Sequence, residues 1–153
     1  MGEQSDSIEI EVPPEKIFEA ISELSEMSRY SPENTGGEWL DGASGPALGA
    51  RFKGTNANGT RAWTTTATIV AYRPPTAFAF EVTVGPVKVA RWTYSIEPTD
   101  SGAKVTESWI DRRSALSKRI GAVSSGRRDR HEFTATSIRT TLENLKRALE
   151  AST

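Results

Sequence analysis

Cysteine is absent from the chain and histidine occurs once, at position 131. The first absence excludes disulfides, thiolate metal sites and cysteine nucleophiles, and it is compatible with a reducing compartment. A single histidine cannot build a histidine-rich metal centre, and no metal or cofactor is expected. Charge of one sign is missing too, since 19 Lys and Arg stand against 20 Asp and Glu. Bulk electrostatics therefore give no reason to expect nucleic acid or an anionic membrane as a partner. No apolar run approaches the ~18 residues of a membrane span, so membrane insertion is not expected. Met1 to Ile10 is acidic and polar and lacks the basic start and apolar run of a signal peptide, which makes the cytoplasm the expected location. Gly-rich phosphate loops, paired-carboxylate sites and Ser-His-Asp orderings are also missing.

What the sequence does have is one long amphipathic helix and a series of strands. From about Asp129 to Ala151, Ile138, Leu142, Leu145 and Leu149 recur at helical spacing, with Ala135 one turn upstream. Arg139, Glu143, Lys146, Arg147 and Glu150 form the wet face. A stripe of that length needs something concave to lie against, and the earlier chain must supply it. Ser7 to Val12 alternates as a strand until Pro13-Pro14. Pro14 then opens a helix carrying Ile17, Phe18, Ile21 and Leu24. A further turn through Met27 and Tyr30, capped by Ser25 or Ser28, ends at Ser31-Pro32. Strands follow at Glu38–Leu40 as a loop-bounded edge, Ala50–Thr55, Arg61–Tyr72, Phe78–Val84, Val87–Glu97 and Ala103–Ile110, separated by turn residues such as Asn58-Gly59, Pro74-Pro75 and Gly85-Pro86. The 153 residues fit one domain, of class α+β, with the helix on one face of an antiparallel sheet.

Strand parity sends Trp63, Phe78, Phe80, Trp92, Tyr94 and Trp109 inward. These aromatics make either a packed core or the wall of a cavity. Thr65, Ala67 and Ala90 face the same way, with Ser137 and Thr140 or Thr141 near the edge of the helix stripe. That small and polar content favours a cavity, because ligand pockets are mostly apolar with a few placed polar groups. Glu107 is the one carboxylate that parity puts inside. It must be paired or protonated, which leaves three roles: a ligand anchor, a general acid or base, or half of an ion pair with Arg91 or an arginine of the following loop. Tyr94 can hydrogen-bond a carbonyl or merely satisfy its hydroxyl at a cavity edge. His131, at the start of the last helix, has no orienting carboxylate in the sequence and reads as a surface or packing residue. The loop Asp111 to Arg130 concentrates seven cations, Arg112, Arg113, Lys118, Arg119, Arg127, Arg128 and Arg130. It reads as a lid with some attraction for anionic ligands, since no aromatic stacking residue is interleaved as single-stranded nucleic acid would require.

Taken together, the opening strand running into Pro13-Pro14-Glu15-Lys16-Ile17-Phe18, then Trp39, Gly49-Ala50-Arg51-Phe52-Lys53-Gly54, Trp63, Phe78-Ala79-Phe80-Glu81-Val82, Trp92-Thr93-Tyr94, Val105-Thr106-Glu107-Ser108-Trp109 and Thr141-Leu142-Glu143-Asn144-Leu145-Lys146 resemble the polyketide cyclase/dehydrase and lipid-transport branch of the START-like (SRPBCC) superfamily. The likeness is to its small single-domain members common in actinobacteria and covers nearly the whole chain. It implies a helix-grip fold: a seven-stranded antiparallel sheet curved around a long C-terminal helix, two short helices between strands 1 and 2, and a hydrophobic cavity between sheet and helix. The superfamily includes lipid carriers, hormone receptors, aromatase/cyclases, cochaperone-like proteins and a few proposed toxins, so fold does not settle chemistry. The leading expectation is a monomer or weak dimer that binds or carries a small-to-medium hydrophobic ligand, lipid or polyketide-like. The ligand would lie against Trp63, Thr65, Phe78, Phe80, Trp92, Tyr94, Glu107, Trp109, Ser137 and Thr141. The alternatives are an enzyme of cyclase or dehydratase type and a regulatory or toxin-like interaction protein.

Overall fold

Short turns between alternating apolar segments oblige consecutive strands to pair with their neighbours, and one curved sheet results. The computed structural model describes residues 3–31, 34–58, 60–112 and 130–151. Seven strands, β1 (Glu3–Ile10), β2 (Asn34–Trp39), β3 (Arg51–Asn58), β4 (Arg61–Arg73), β5 (Ala77–Val84), β6 (Val87–Pro98) and β7 (Ala103–Asp111), pair antiparallel in the order β1-β7-β6-β5-β4-β3-β2. Helix α1 (Pro14–Ser22), a 3-10 turn (Leu24–Glu26) and α2 (Met27–Tyr30) lie between β1 and β2, and α3 (Arg130–Ala151) closes the chain. This is the helix-grip arrangement, with the strand count and helix positions that the sequence implies.

Several boundaries differ from the sequence reading. Strand β1 starts at Glu3 and stops before Val12, which is buried beyond the strand end. The edge strand predicted at Glu38–Leu40 begins instead at Asn34. No side-chain hydrogen bond caps α2, whose N-cap is Glu26. In β4 the alternation holds through Ala67 and Ile69, then a bulge at Val70 resets it, so that Tyr72 pairs with Phe78 and turns inward while Val70 is exposed. A second bulge, opposite Val82 and Thr83, puts its extra residue, Val89, on β6, while Val84 keeps the parity of Phe78 and Phe80 and is exposed at the hairpin end of β5. The basic loop falls largely on residues 113–129, outside the described residues, and the side chains of Arg130 and His131 lie outside them as well.

Helix α3 lies along β1 and β7 and meets α2. Its stripe buries Ile138, Leu142 and Leu145 completely, with Ala135 and Leu149 half-buried. Polar ties fix its axis to β1: Arg139 pairs with Asp6 at 3.2 Å, Lys146 donates to the Glu9 carbonyl at 2.9 Å, and Glu150 accepts from the Glu11 N–H at 2.9 Å. Asn144 donates to the Tyr30 carbonyl at 3.0 Å and so holds α2. Geometry then leaves room elsewhere. Seven strands about 4.8 Å apart make a sheet roughly 29 Å wide, whereas a helix with its side chains spans about 10–12 Å. One helix set over β1 and β7 cannot cover β3 to β6. Part of that deficit is filled by α1, whose Ile17, Phe18 and Ile21 are buried. Phe18 meets Tyr72 and Phe78 edge-on at ring-centroid distances of 5.4 and 6.1 Å.

Candidate functional site

The part of the sheet that α1 and α3 leave uncovered forms a cavity of about 170 Å³. Inward positions of β3 to β7 make its wall. Trp63, Thr65 and Ala67 come from β4, Phe80 and Val82 from β5, Trp92 and Tyr94 from β6, and Glu107 and Trp109 from β7. Helix α3 contributes Thr134, Ser137 and Thr141 from the opposite side, and α2 with the residue after it contributes Met27 and Ser31.

Nine of the ten side chains expected to meet a ligand line this space, and the tenth, Phe78, does not. Phe78 packs with Phe18 and Tyr72 beneath α1, because the bulge at Val70 brings Tyr72 onto the inner face beside it. Of the pair Thr140 or Thr141, it is Thr141 that lines the cavity, while Thr140 lies half-buried elsewhere on the helix. Phe52 and Asn56 of β3 were missed, although the alternation Phe52, Gly54, Asn56 places all three on one face. Thr134 was missed because an apolar template passes over threonine. Yet it lies four residues before Ile138 and seven before Thr141, on the buried stripe, and is itself buried.

Glu107 is the chemical centre of the cavity. It is 3% exposed, between Val105 and Trp109, with Tyr94 directly opposite on β6 and Asp6 opposite on β1. The Tyr94 hydroxyl donates to Glu107 Oε2 at 2.8 Å, while Oε1 is buried and has no hydrogen-bond partner among the described residues. Of the expected cations, Arg91 and Arg112 are not beside it, and the remaining arginines of the following loop lie outside the described residues. Arg91 projects from the other face of the sheet and pairs with Glu81 at 3.4 Å, where Lys88 at 3.6 Å and Arg112 at 3.9 Å also gather. A carboxylate taken out of water without a counter-charge holds its proton. Burial raises Glu107 from 4.5 to about 8, against a smaller opposing effect of the Tyr94 hydrogen bond. Burial first, and the Glu107 charge second, hold the Tyr94 phenol well above its ordinary range. At neutral pH the pair is a neutral acid and a neutral phenol.

Among the described residues no group of three or more His, Cys, Asp or Glu side chains is placed to hold a metal ion. No helix among them is long and apolar enough to cross a membrane.

Comparisons with known proteins agree with this architecture. The chain is 29% identical to a Polyketide_cyc-like protein of Corynebacterium glutamicum whose solution structure superposes with a TM-score of 0.67, over 98% of this chain and 92% of that one. A crystal structure of a protein from Chromobacterium violaceum matches at a TM-score of 0.74 with 12% identity, covering 98% and 99% of the two chains. The di-domain ARO/CYC protein BexL, from a biosynthetic pathway, matches at 0.68 with 19% identity over 98% of this chain and 47% of its own length. At those lower identities the likeness is one of fold. No curated protein matches the sequence. The family model described as polyketide cyclase / dehydrase and lipid transport spans residues 1–150, and with the seven-stranded grip around α3 it shows that the chain belongs to that family, within the START-like (SRPBCC) superfamily.

Proposed function

We propose that the protein binds a compact, largely apolar molecule in the space between the sheet and α3. The observation that carries this reading is the cavity itself, about 170 Å³ with tryptophan and phenylalanine walls and a small set of hydroxyls, beside a core of buried aliphatic and aromatic side chains. An engineered apolar cavity of about 150 Å³ accommodates benzene. A ring system or a short stretch of chain therefore suits this volume, and a lipid or an extended polyketide chain would be held by only part of its length. The nine lining side chains expected from the sequence are the proposed contacts. A monomer or weak dimer in the cytoplasm is the state proposed for the protein, in keeping with the cysteine-free sequence. Thermal-shift screening with small aromatic and aliphatic compounds, with native mass spectrometry for a co-purified guest, tests the reading. A ligand at a hundred times its Kd stabilises by about 2.7 kcal/mol, which raises Tm by roughly 5–10 °C for a chain of this size. A folded protein that carries no guest and responds to none of these compounds would refute it.

The titratable group inside the cavity favours a second reading, an enzyme of cyclase or dehydratase type in which Glu107 moves a proton on a bound substrate. Turnover abolished in Glu107→Gln with the fold retained supports that role, and unchanged turnover removes Glu107 from it.

A further inference from the structure

The hydrogen-bond bookkeeping around Glu107 narrows the ligand class. Tyr94 has one hydroxyl proton and gives it to Oε2, at 2.8 Å. Oε2 is then the acceptor oxygen of the carboxyl group, and in the neutral acid the carboxyl proton resides on Oε1. Oε1 is buried and has no partner among the described residues, in a side chain that lines the cavity. A buried donor without an acceptor is a cost that native interiors seldom leave standing, and the cavity is where an acceptor can arrive.

The charged groups around it decide between a neutral and a charged guest. On β6 the facing group is the Tyr94 phenol. On β1 it is Asp6, directly opposite in register and engaged by Arg139 of α3 at 3.2 Å. Asp6 and Arg139 already engage one another, and Arg139 is shared with Glu143, so neither is a free counter-charge for Glu107. No lysine or arginine is among the described lining residues. An organic amine would have to lose its own hydration while forcing the buried Glu107 to ionise, and the attraction within a buried ion pair often fails to offset that desolvation. A carbonyl oxygen requires neither.

Resting on the binding reading above, we propose that the cavity selects compact, uncharged ring compounds bearing an exposed carbonyl or similar acceptor oxygen. That oxygen accepts a hydrogen bond from Glu107 Oε1–H. The tryptophans and Phe80 enclose the ring, and Tyr94 is a positioning residue that fixes the carboxyl group. The arrangement is of the kind in which a carboxylic acid kept neutral by its surroundings acts as a hydrogen-bond donor beside a tyrosine.

Three probes of nearly one shape separate the possibilities: acetophenone, α-methylstyrene, in which a CH₂ replaces the oxygen, and 1-phenylethylamine. Binding to the full chain is followed by NMR titration between pH 6.5 and 9. Acetophenone is expected to bind about tenfold tighter than α-methylstyrene. Glu107→Leu should erase that preference and Glu107→Gln, whose amide also donates, should keep it. In wild type the acetophenone affinity should be level to about pH 7, about twofold weaker near pH 8 and roughly tenfold weaker at pH 9 than at pH 7, as the donor proton is lost. It should show no such fall in Glu107→Gln. Tyr94→Phe should move the midpoint to higher pH, because the tyrosine hydrogen bond favours the ionised carboxylate. Equal affinity for ketone and alkene overturns the inference and leaves the cavity reading intact. So does an amine that binds tightest and gains affinity up to pH 8. Failure of all three, with no thermal response to larger apolar compounds, overturns both.

Discussion

A buried acid that keeps its proton writes itself into the pH dependence of stability. Unfolded, Glu107 has an ordinary carboxyl group near 4.5, and folded it titrates at about 8. The sign follows from which state binds the proton more tightly. Below 4.5 both states are protonated and the contribution is fully present. From there to about 8 only the unfolded chain ionises, so stability falls as pH rises, and above about 8 the loss is complete. At about 1.4 kcal/mol per pH unit, that interval corresponds to roughly 5 kcal/mol as an upper bound, and a measured loss of about 2–5 kcal/mol is expected. In Glu107→Gln the amide retains the volume and can accept from Tyr94 but does not titrate. Urea unfolding of both proteins at half-unit steps from pH 4.5 to 9 gives the comparison, and ionisable groups that do not interact with Glu107 cancel in the difference between them, while Tyr94, which does, is held protonated over this range. The two should be similar near pH 4.5, and the variant should become progressively more stable than wild type up to about pH 8, with equal m-values. Parallel stability curves, or a wild type that gains on the variant as pH rises, would refute the burial argument and with it the neutral-acid chemistry of the cavity.

Three further outcomes follow from the packing. Leu142→Ala, at a fully buried position of α3, should lower stability by about 2–5 kcal/mol in urea unfolding, and a loss under 1 kcal/mol would mean that α3 grips the sheet less closely than described. Gly102→Ala would drive a Cβ into the Ile10 carbonyl oxygen and to 2.8 Å from Glu11 Cα. Backbone cannot yield as a side-chain tip can, so a loss of about 2 kcal/mol or more is expected in the same assay, and a neutral result would contradict this approach of β1 to the β6–β7 turn. Ala67→Leu adds three carbons from the cavity wall. It should raise Tm by a few degrees and abolish ligand-induced thermal shifts, whereas a retained shift would place binding elsewhere.

The architecture was legible because it rests on signals that repeat. The α3 stripe, the Pro14 helix start and the alternation of β4 to β7 each involve many residues, so single errors do not change the outcome. The candidate site was legible as far as the same parity reached, which is why Trp63, Trp92, Tyr94, Glu107 and Trp109 were placed together. What the sequence concealed were local departures from period two. Nothing in Ile69-Val70-Ala71 announces a bulge, and that one extra residue moves Tyr72 inward and turns Phe78 into a packing partner of α1. The partner of Glu107 was hidden for a related reason. Arg91 is only one position from Trp92, but one position in a strand means the opposite face, and its charge goes to Glu81. Thr134 escaped because hydropathy scores a buried hydroxyl on a helix stripe as solvent-facing.

The extra residue at Val70 also divides the labour of a single strand. Residues 63–67 serve the hollow, whereas Ile69 and Tyr72 serve the solid interior under α1. A lineage could therefore retune what enters the protein by exchanging side chains on the first half of β4, leaving the half that anchors the fold untouched. Divergent guests on a shared scaffold need no more machinery than that.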